Sequence, residues 1–167
     1  GVTLLRGGGV VAFPTDTLYG LGADFSCLSA VQRVLSIKGR SEQMGLPLLL
    51  SGADDLSVVA RDVPEAVWLL VRRFWPGALT LIVPRSAIVS DLVAGGRDSV
   101  AVRVPDHPVA RALARGLGRP ITGTSANRTG QPPAASAEEA RRQLGASVDL
   151  VIEGGAAPLG LQSTIVD

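Results

Sequence analysis

"GALTLIVP" at residues 77–84 and "SVAVRVP" at 99–105 decide the fold class. Both alternate as strands do, and each is closed by a proline, which cannot donate to a β-ladder. They follow one another with no helical pattern read between them, so strands and helices do not alternate strictly. That argues against a strict doubly wound fold. The expectation is an α/β (α+β complex) domain in which one mixed, twisted sheet is flanked by helices.

The flanking sequence fits this reading. Val10–Phe13, "LPLLL" at 46–50 and "PITGTSAN" at 120–127 read as strands, the last running into a polar loop. "VDLVIEGG" and "STIVD" read as closing strands. Helices are expected at 29–38 behind Ser29 as N-cap, and at 63–74, where Pro64 stands at the start. In the second, Val67, Leu70, Val71 and Phe74 make an apolar stripe. "PVARALARGLG" reads as a helix stopped by glycine, and "SAEEARRQLG" carries a capping box of Ser136 and Glu139.

A chain of 167 residues, 46% apolar, is enough for one domain with a substantial core, expected over 1–167 with no further C-terminal domain. Sixteen basic residues against 15 acidic ones argue against a general nucleic-acid coat. The single cysteine, Cys27, allows no intrachain disulfide. With no apolar run near the roughly 18 residues of a membrane span and no signal peptide, a cytoplasmic protein is expected.

Usage is uneven in one respect. Fifteen of the basic residues are arginine and only Lys38 is lysine; Asn127 is the sole asparagine and Tyr19 the sole tyrosine. Either each of these singletons does something specific, or they are sampling noise like Met44, His107 and Cys27.

Some chemistry is excluded. One histidine and one cysteine build neither a zinc cluster nor a Cys–His pair, and His107, before Pro108, reads as a capping or surface residue. Neither glycine-rich phosphate fingerprint is present. Four features stay open. "FPTDTLYGLGAD" at 13–24 spends about a dozen residues where a hairpin turn needs two or three, which suggests a binding loop. "KGR" at 38–40 is either a basic helix end or a phosphate clamp. Thr122, Thr124, Ser125 and Asn127 form either a polar turn or a loop that holds phosphate or ribose oxygens. Arg103, among valines, needs either a salt bridge or a ligand carboxylate.

Six segments in register, "FPTDTLYGLGAD", "KGR", "FWPGALTLIV", "VAVRVPDHP", "PITGTSAN" and "EGG…PLGLQSTIVD", resemble the threonylcarbamoyl-AMP synthase family, the YrdC-like domain, over about residues 4–167. The resemblance implies a YrdC-like fold with a concave basic cleft. It implies a nucleotidyltransferase joining L-threonine, bicarbonate and ATP, with Mg2+, into threonylcarbamoyl-AMP and pyrophosphate, for modification of the tRNA adenosine beside the anticodon. The family's functional tetrad falls on Lys38, Arg40, Ser125 and Asn127, with Thr124 also at the ATP. Threonine would lie against Thr17, Arg103 and Ser163, with Gly20 and Gly22 letting the backbone of the opening loop approach it. No residue is assigned directly to a metal. Further expected partners are tRNA or double-stranded RNA and the proteins that transfer the threonylcarbamoyl group onward. Alternatives from other classes are a double-stranded RNA-binding module and a carbamoyl-adenylate-forming domain. After Arg40, Met44 and a longer spacer replace an asparagine common in the family, and Ser51 stands near a histidine position, so those contacts do not carry over.

Overall fold

The structure, a computed structural model, describes residues 1–167. In chain order the elements are α1 (Val2–Arg6), β1 (Val11–Phe13), β2 (Gly20–Gly22), α2 (Leu28–Lys38), β3 (Leu48–Leu49), α3 (Leu56–Val59), α4 (Glu65–Phe74), β4 (Leu79–Pro84), α5 (Asp91–Ala94), β5 (Ser99–Arg103), α6 (Pro108–Leu117), β6 (Ile121–Thr122), β7 (Thr124–Ser125), α7 (Ala137–Leu144), β8 (Leu150–Val151) and β9 (Thr164–Val166). The expected mixed α/β class holds. The single sheet, however, divides into two mixed sheets, ordered β7-β2-β1-β8 and β6-β3-β5-β4-β9.

Burial on both faces explains the uninterrupted apolar runs. Along β1, Val10 and Ala12 join the main core while Val11 and Phe13 join a second cluster with Leu5, Leu113 and Ile121. Leu48 and Leu50 face the main core and Leu49 the second cluster, the two-residue period of a strand covered on both sides. The second cluster is closed by α1 and α6. With only five residues, α1 is too short to show a helical period and has no counterpart among the expected elements.

Most expected elements are present, with corrections at their ends. α2 begins at Leu28 with Cys27 at the N-cap, so Ser29 lies inside the first turn. In α4, Val71 is buried and Val67 and Leu70 pack against the core, but Phe74 is 51% exposed because the helix ends there. His107 caps α6, its Nδ1 accepting from Val109 N at 3.2 Å. Ser136 caps α7 by accepting from Glu139 N, while the Glu139 carboxylate accepts from Ala135 N, one residue before the cap.

The opening loop is built as a hairpin after all. β1 and β2 pair antiparallel, Phe13 opposite Gly20 and Val11 opposite Gly22, with residues 14–19 as an enlarged turn. Its glycines serve the chain's own packing: a Cβ on Gly20 would meet the Phe13 ring at 2.7 Å, and one on Gly22 would sit 2.0 Å from Thr122 O. Here the sheets touch, as Thr122 N donates to Ala23 O and Ala23 N to Thr122 Oγ1.

Gly123 carries the chain from one sheet to the other. β6 lies in the five-stranded sheet and β7 in the four-stranded one, and the glycine between them passes so close to Leu49 that a Cβ would be 2.3 Å from its Cγ. "PITGTSAN" is therefore a strand that changes sheets, which delivers Thr124, Ser125 and Asn127 to the seam.

Candidate functional site

A cavity of about 250 Å³ opens at that seam, bounded by Gly20 and Ser125 from one sheet and Leu49 and Arg103 from the other. Of the residues expected at the site, Thr17, Arg40, Arg103, Thr124, Ser125 and Ser163 line it. Lys38 and Asn127 do not; they lie behind Ser125, bonded to it.

The position of Lys38 follows from how α2 ends. Gly39 takes the left-handed conformation, φ 64° and ψ 37°, and its N–H returns to the last turn. The chain thereby reverses between Lys38 and Arg40, and both side chains reach the 124–127 loop. Lys38, 1% exposed, donates to Ser125 O at 2.6 Å, to Asn127 Oδ1 at 2.7 Å and to Ser125 Oγ at 3.3 Å. Three acceptors match the three N–H bonds of an ammonium. Ser125 Oγ also donates to Asn127 Oδ1 at 2.6 Å, while Asn127 Nδ2 donates to Gln131 O and Arg128 O. Two of the sequence singletons thus bond directly to each other, although they lie 89 positions apart.

Burial, and then the charge of Arg40, pull the Lys38 pKa down to about 7. Arg40 donates through Nη1 to Thr124 Oγ1 at 3.1 Å, and its Nε is buried with no partner. An orphaned guanidinium N–H beside hydroxyls, with a second cation behind, fits an anionic ligand. Neither cation is ion-paired to a carboxylate in the fold; burial alone lowers the Arg40 pKa.

Arg103 is held differently. Arg103, at the end of β5 and 6% exposed, donates to Asp16 Oδ1 at 2.5 Å, to Thr17 Oγ1 at 2.9 Å and through Nε to Gly77 O at 2.8 Å. Of the two partners the sequence leaves open for it, the salt bridge is therefore made, and Arg103 still lines the cavity with two N–H bonds not committed to the protein. Burial lowers its pKa while the Asp16 charge opposes that shift. Thr17 is held in turn by Thr15, whose Oγ1 is 3.0 Å away and donates to Leu18 O. Ser163 reaches the cavity from the segment before β9 and is hydrogen-bonded to Thr80, Oγ to Oγ 2.7 Å.

Tyr19, the third singleton, is fully buried and fastens the frame. Its hydroxyl donates to Gly155 O at 2.8 Å and accepts from Gly154 N at 3.2 Å, tying the opening loop to the segment that leads toward Ser163. Sequence reasoning missed Asp16, Thr80 and Gln162, the last of which also lines the cavity. Asp16 had a signal: an arginine in a buried strand needs a carboxylate, and one stood within the quoted loop.

Comparison with known proteins gives a consistent result. The family model of Sua5, YciO and YrdC, described as telomere recombination, matches residues 3–167. A threonylcarbamoyl-AMP synthase of Pyrococcus abyssi is 40% identical over 163 residues, covering 98% of this chain and 48% of that protein. One of Idiomarina loihiensis is 45% identical over 157 residues, covering 89% and 83%. The crystal structure of P. abyssi Sua5 complexed with L-threonine superposes with a TM-score of 0.96 at 39% identity, over 98% of this chain and 48% of that one. The chain thus spans about half the length of its Pyrococcus relative and most of the Idiomarina one. No helix is long and apolar enough to cross a membrane.

Proposed function

The chain belongs to the Sua5/YciO/YrdC family, and on that premise we propose that it forms threonylcarbamoyl-AMP from L-threonine, bicarbonate and ATP, as a nucleotidyltransferase. The observation that supports this best is one cavity lined both by Arg40, which has no carboxylate partner, and by Arg103, which binds the Asp16 carboxylate and keeps N–H bonds to spare. The substrates supply their own nucleophile. Bicarbonate and the threonine amine give a carbamate with loss of water, and the carbamate oxygen attacks the α-phosphorus of ATP as pyrophosphate leaves with the electron pair of the broken P–O bond. No serine or cysteine nucleophile is required. Catalysis rests on alignment and on preorganised charge.

In this reading the triphosphate lies along Arg40, Thr124 and Ser125, with Lys38 and Asn127 setting the Ser125 loop from behind. Threonine's carboxylate takes the free N–H bonds of Arg103, and Thr17 and Ser163 offer hydroxyls to the rest of the amino acid. Mg2+ would arrive on the phosphates of ATP. The product adenylate would pass to proteins that transfer its acyl group to tRNA. The test is pyrophosphate release from ATP and bicarbonate with threonine, with serine, or with neither. Release is expected to require threonine; equal release without an amino acid sinks the assignment.

The Lys38 pKa adds a pH dependence. Held near 7 in the free protein, the group is mostly neutral at pH 8, and a polyphosphate in front of Ser125 favours the ammonium behind it. ATP binding is therefore expected to take up close to one proton at pH 8 and much less at pH 6, where Lys38 is already charged. Titration calorimetry in buffers of different ionisation enthalpy reads this directly. Uptake that persists unchanged in Lys38→Met assigns the proton to another group.

A further inference from the structure

The two arginines that line the cavity stand in different charge surroundings. Lys38 and Arg40 stand with no carboxylate within ion-pair distance, whereas Arg103 is matched one-to-one by Asp16, only 8% exposed and itself outside the cavity lining. Without Asp16, both arginines lining this cavity would be unpaired cations, and a polyphosphate would find an anion site at either end. With it, the Arg103 end is neutral overall, which suits a zwitterion whose own charges cancel and does not suit a polyanion. The directional N–H bonds of Arg103 survive this neutralisation, so a planar carboxylate is still recognised by geometry.

We propose that Asp16 is a specificity-determining residue: by neutralising Arg103 it reserves that end of the cavity for the amino acid and confines polyphosphate to the Arg40 end. The assignment of the two ends rests on the synthase reading; the charge asymmetry does not. Asp16 acts through Arg103 and touches no substrate, so it is a positioning residue for charge. Its backbone carbonyl also accepts from Leu159 N, a bond that substitution of the side chain leaves in place.

The test uses inorganic tripolyphosphate as probe. Wild type is expected to bind one per chain by calorimetry, in competition with ATP and not with threonine. Asp16→Asn keeps an acceptor oxygen for Arg103 and removes the charge. It is expected to bind a second tripolyphosphate at the Arg103 end, where wild type binds none, and to show inhibition competitive with threonine. Asp16→Ser, with a smaller side chain, carries the same expectation should the amide not be accommodated. The double variant Asp16→Asn, Arg103→Gln makes that end neutral again and is expected to return to one tripolyphosphate. A single bound tripolyphosphate in the charge-removing variants, or two in the double variant, overturns the proposal. If wild type binds tripolyphosphate but never consumes threonine, the synthase reading fails while the titrations still decide the role of Asp16.

Discussion

Lys38→Met is expected to lower threonine-dependent pyrophosphate release by about 10²–10³-fold, the usual cost of removing one preorganised charge or donor from the group that stabilises a transferring phosphoryl. Methionine keeps the length of the stem and loses only the ammonium. The damage is local: Ser125 O and Asn127 Oδ1 each lose the charged donor and keep only Asn127 N and Ser125 Oγ respectively, so the loop that presents Ser125 and Thr124 to the cavity is tied less firmly to the end of α2. Stability is expected to move far less than activity, because two effects oppose each other. Each hydrogen bond lost from the charged donor costs on the order of 1.5–3 kcal/mol. Against that, the native ammonium is itself disfavoured by burial. Its folded pKa lies below the ordinary lysine value, so the unfolded chain binds the extra proton between about pH 7 and 10.5. The resulting penalty is full below that window and vanishes as pH rises through it. Replacing the lysine removes the penalty at neutral pH. Circular dichroism and pyrophosphate release on the same preparation separate the outcomes; a variant that stays folded and retains more than about a tenth of its activity would take Lys38 out of the mechanism.

How much of this was legible in the sequence depends on whether the signal was local. Lys38 and Arg40 could be placed at the end of a helix because a helical period and its stop are local, while their choice between a plain basic helix end and a phosphate clamp stayed open. The polar loop after β6 could be read because its hydroxyls and amide follow a strand directly. That Arg103 needs a carboxylate was legible, but which of the two open options holds was not, because its partner Asp16 lies 87 positions away and only the packed sheets bring them together. Division into two sheets was equally hidden. β3, β6, β7 and β8 are two residues each, too short to show a period, and the crossing at Gly123 depends on how closely Leu49 approaches. The glycines of the opening loop read in sequence as room for a ligand's approach. In the fold, Gly20 and Gly22 make room for the Phe13 ring and the Thr122 carbonyl instead, contacts that no spacing rule encodes.

Gly22→Ala tests that last point and is expected to be the most destabilising single methyl in the protein. An added Cβ would lie 2.0 Å from Thr122 O and 3.2 Å from Thr122 C. Both are backbone atoms fixed by the bonds between Thr122 and Ala23, so no side chain can swing aside to relieve the overlap. Alanine gains about 0.5–1 kcal/mol over glycine in a strand from reduced backbone entropy. Overpacking against fixed atoms costs about 3 kcal/mol or more, so the steric cost outweighs the entropic gain. For a chain of this size the net loss corresponds to a fall in Tm of roughly 5–12 °C. Gly123→Ala is the control. Its Cβ would meet the Leu49 side chain, at 2.3 Å from Cγ, and a leucine can change rotamer where a carbonyl in a ladder cannot. Gly123→Ala is therefore expected to keep more of its stability than Gly22→Ala. It would still lose activity, because Leu49, Thr124 and Ser125 all line the cavity and move with the repacking. Thermal unfolding of both variants, read beside pyrophosphate release, distinguishes a seam that holds the two sheets together from one that merely touches. Equal Tm values for wild type and Gly22→Ala would mean that the sheets are free to separate at Thr122, and that the cavity between them is not held by this contact.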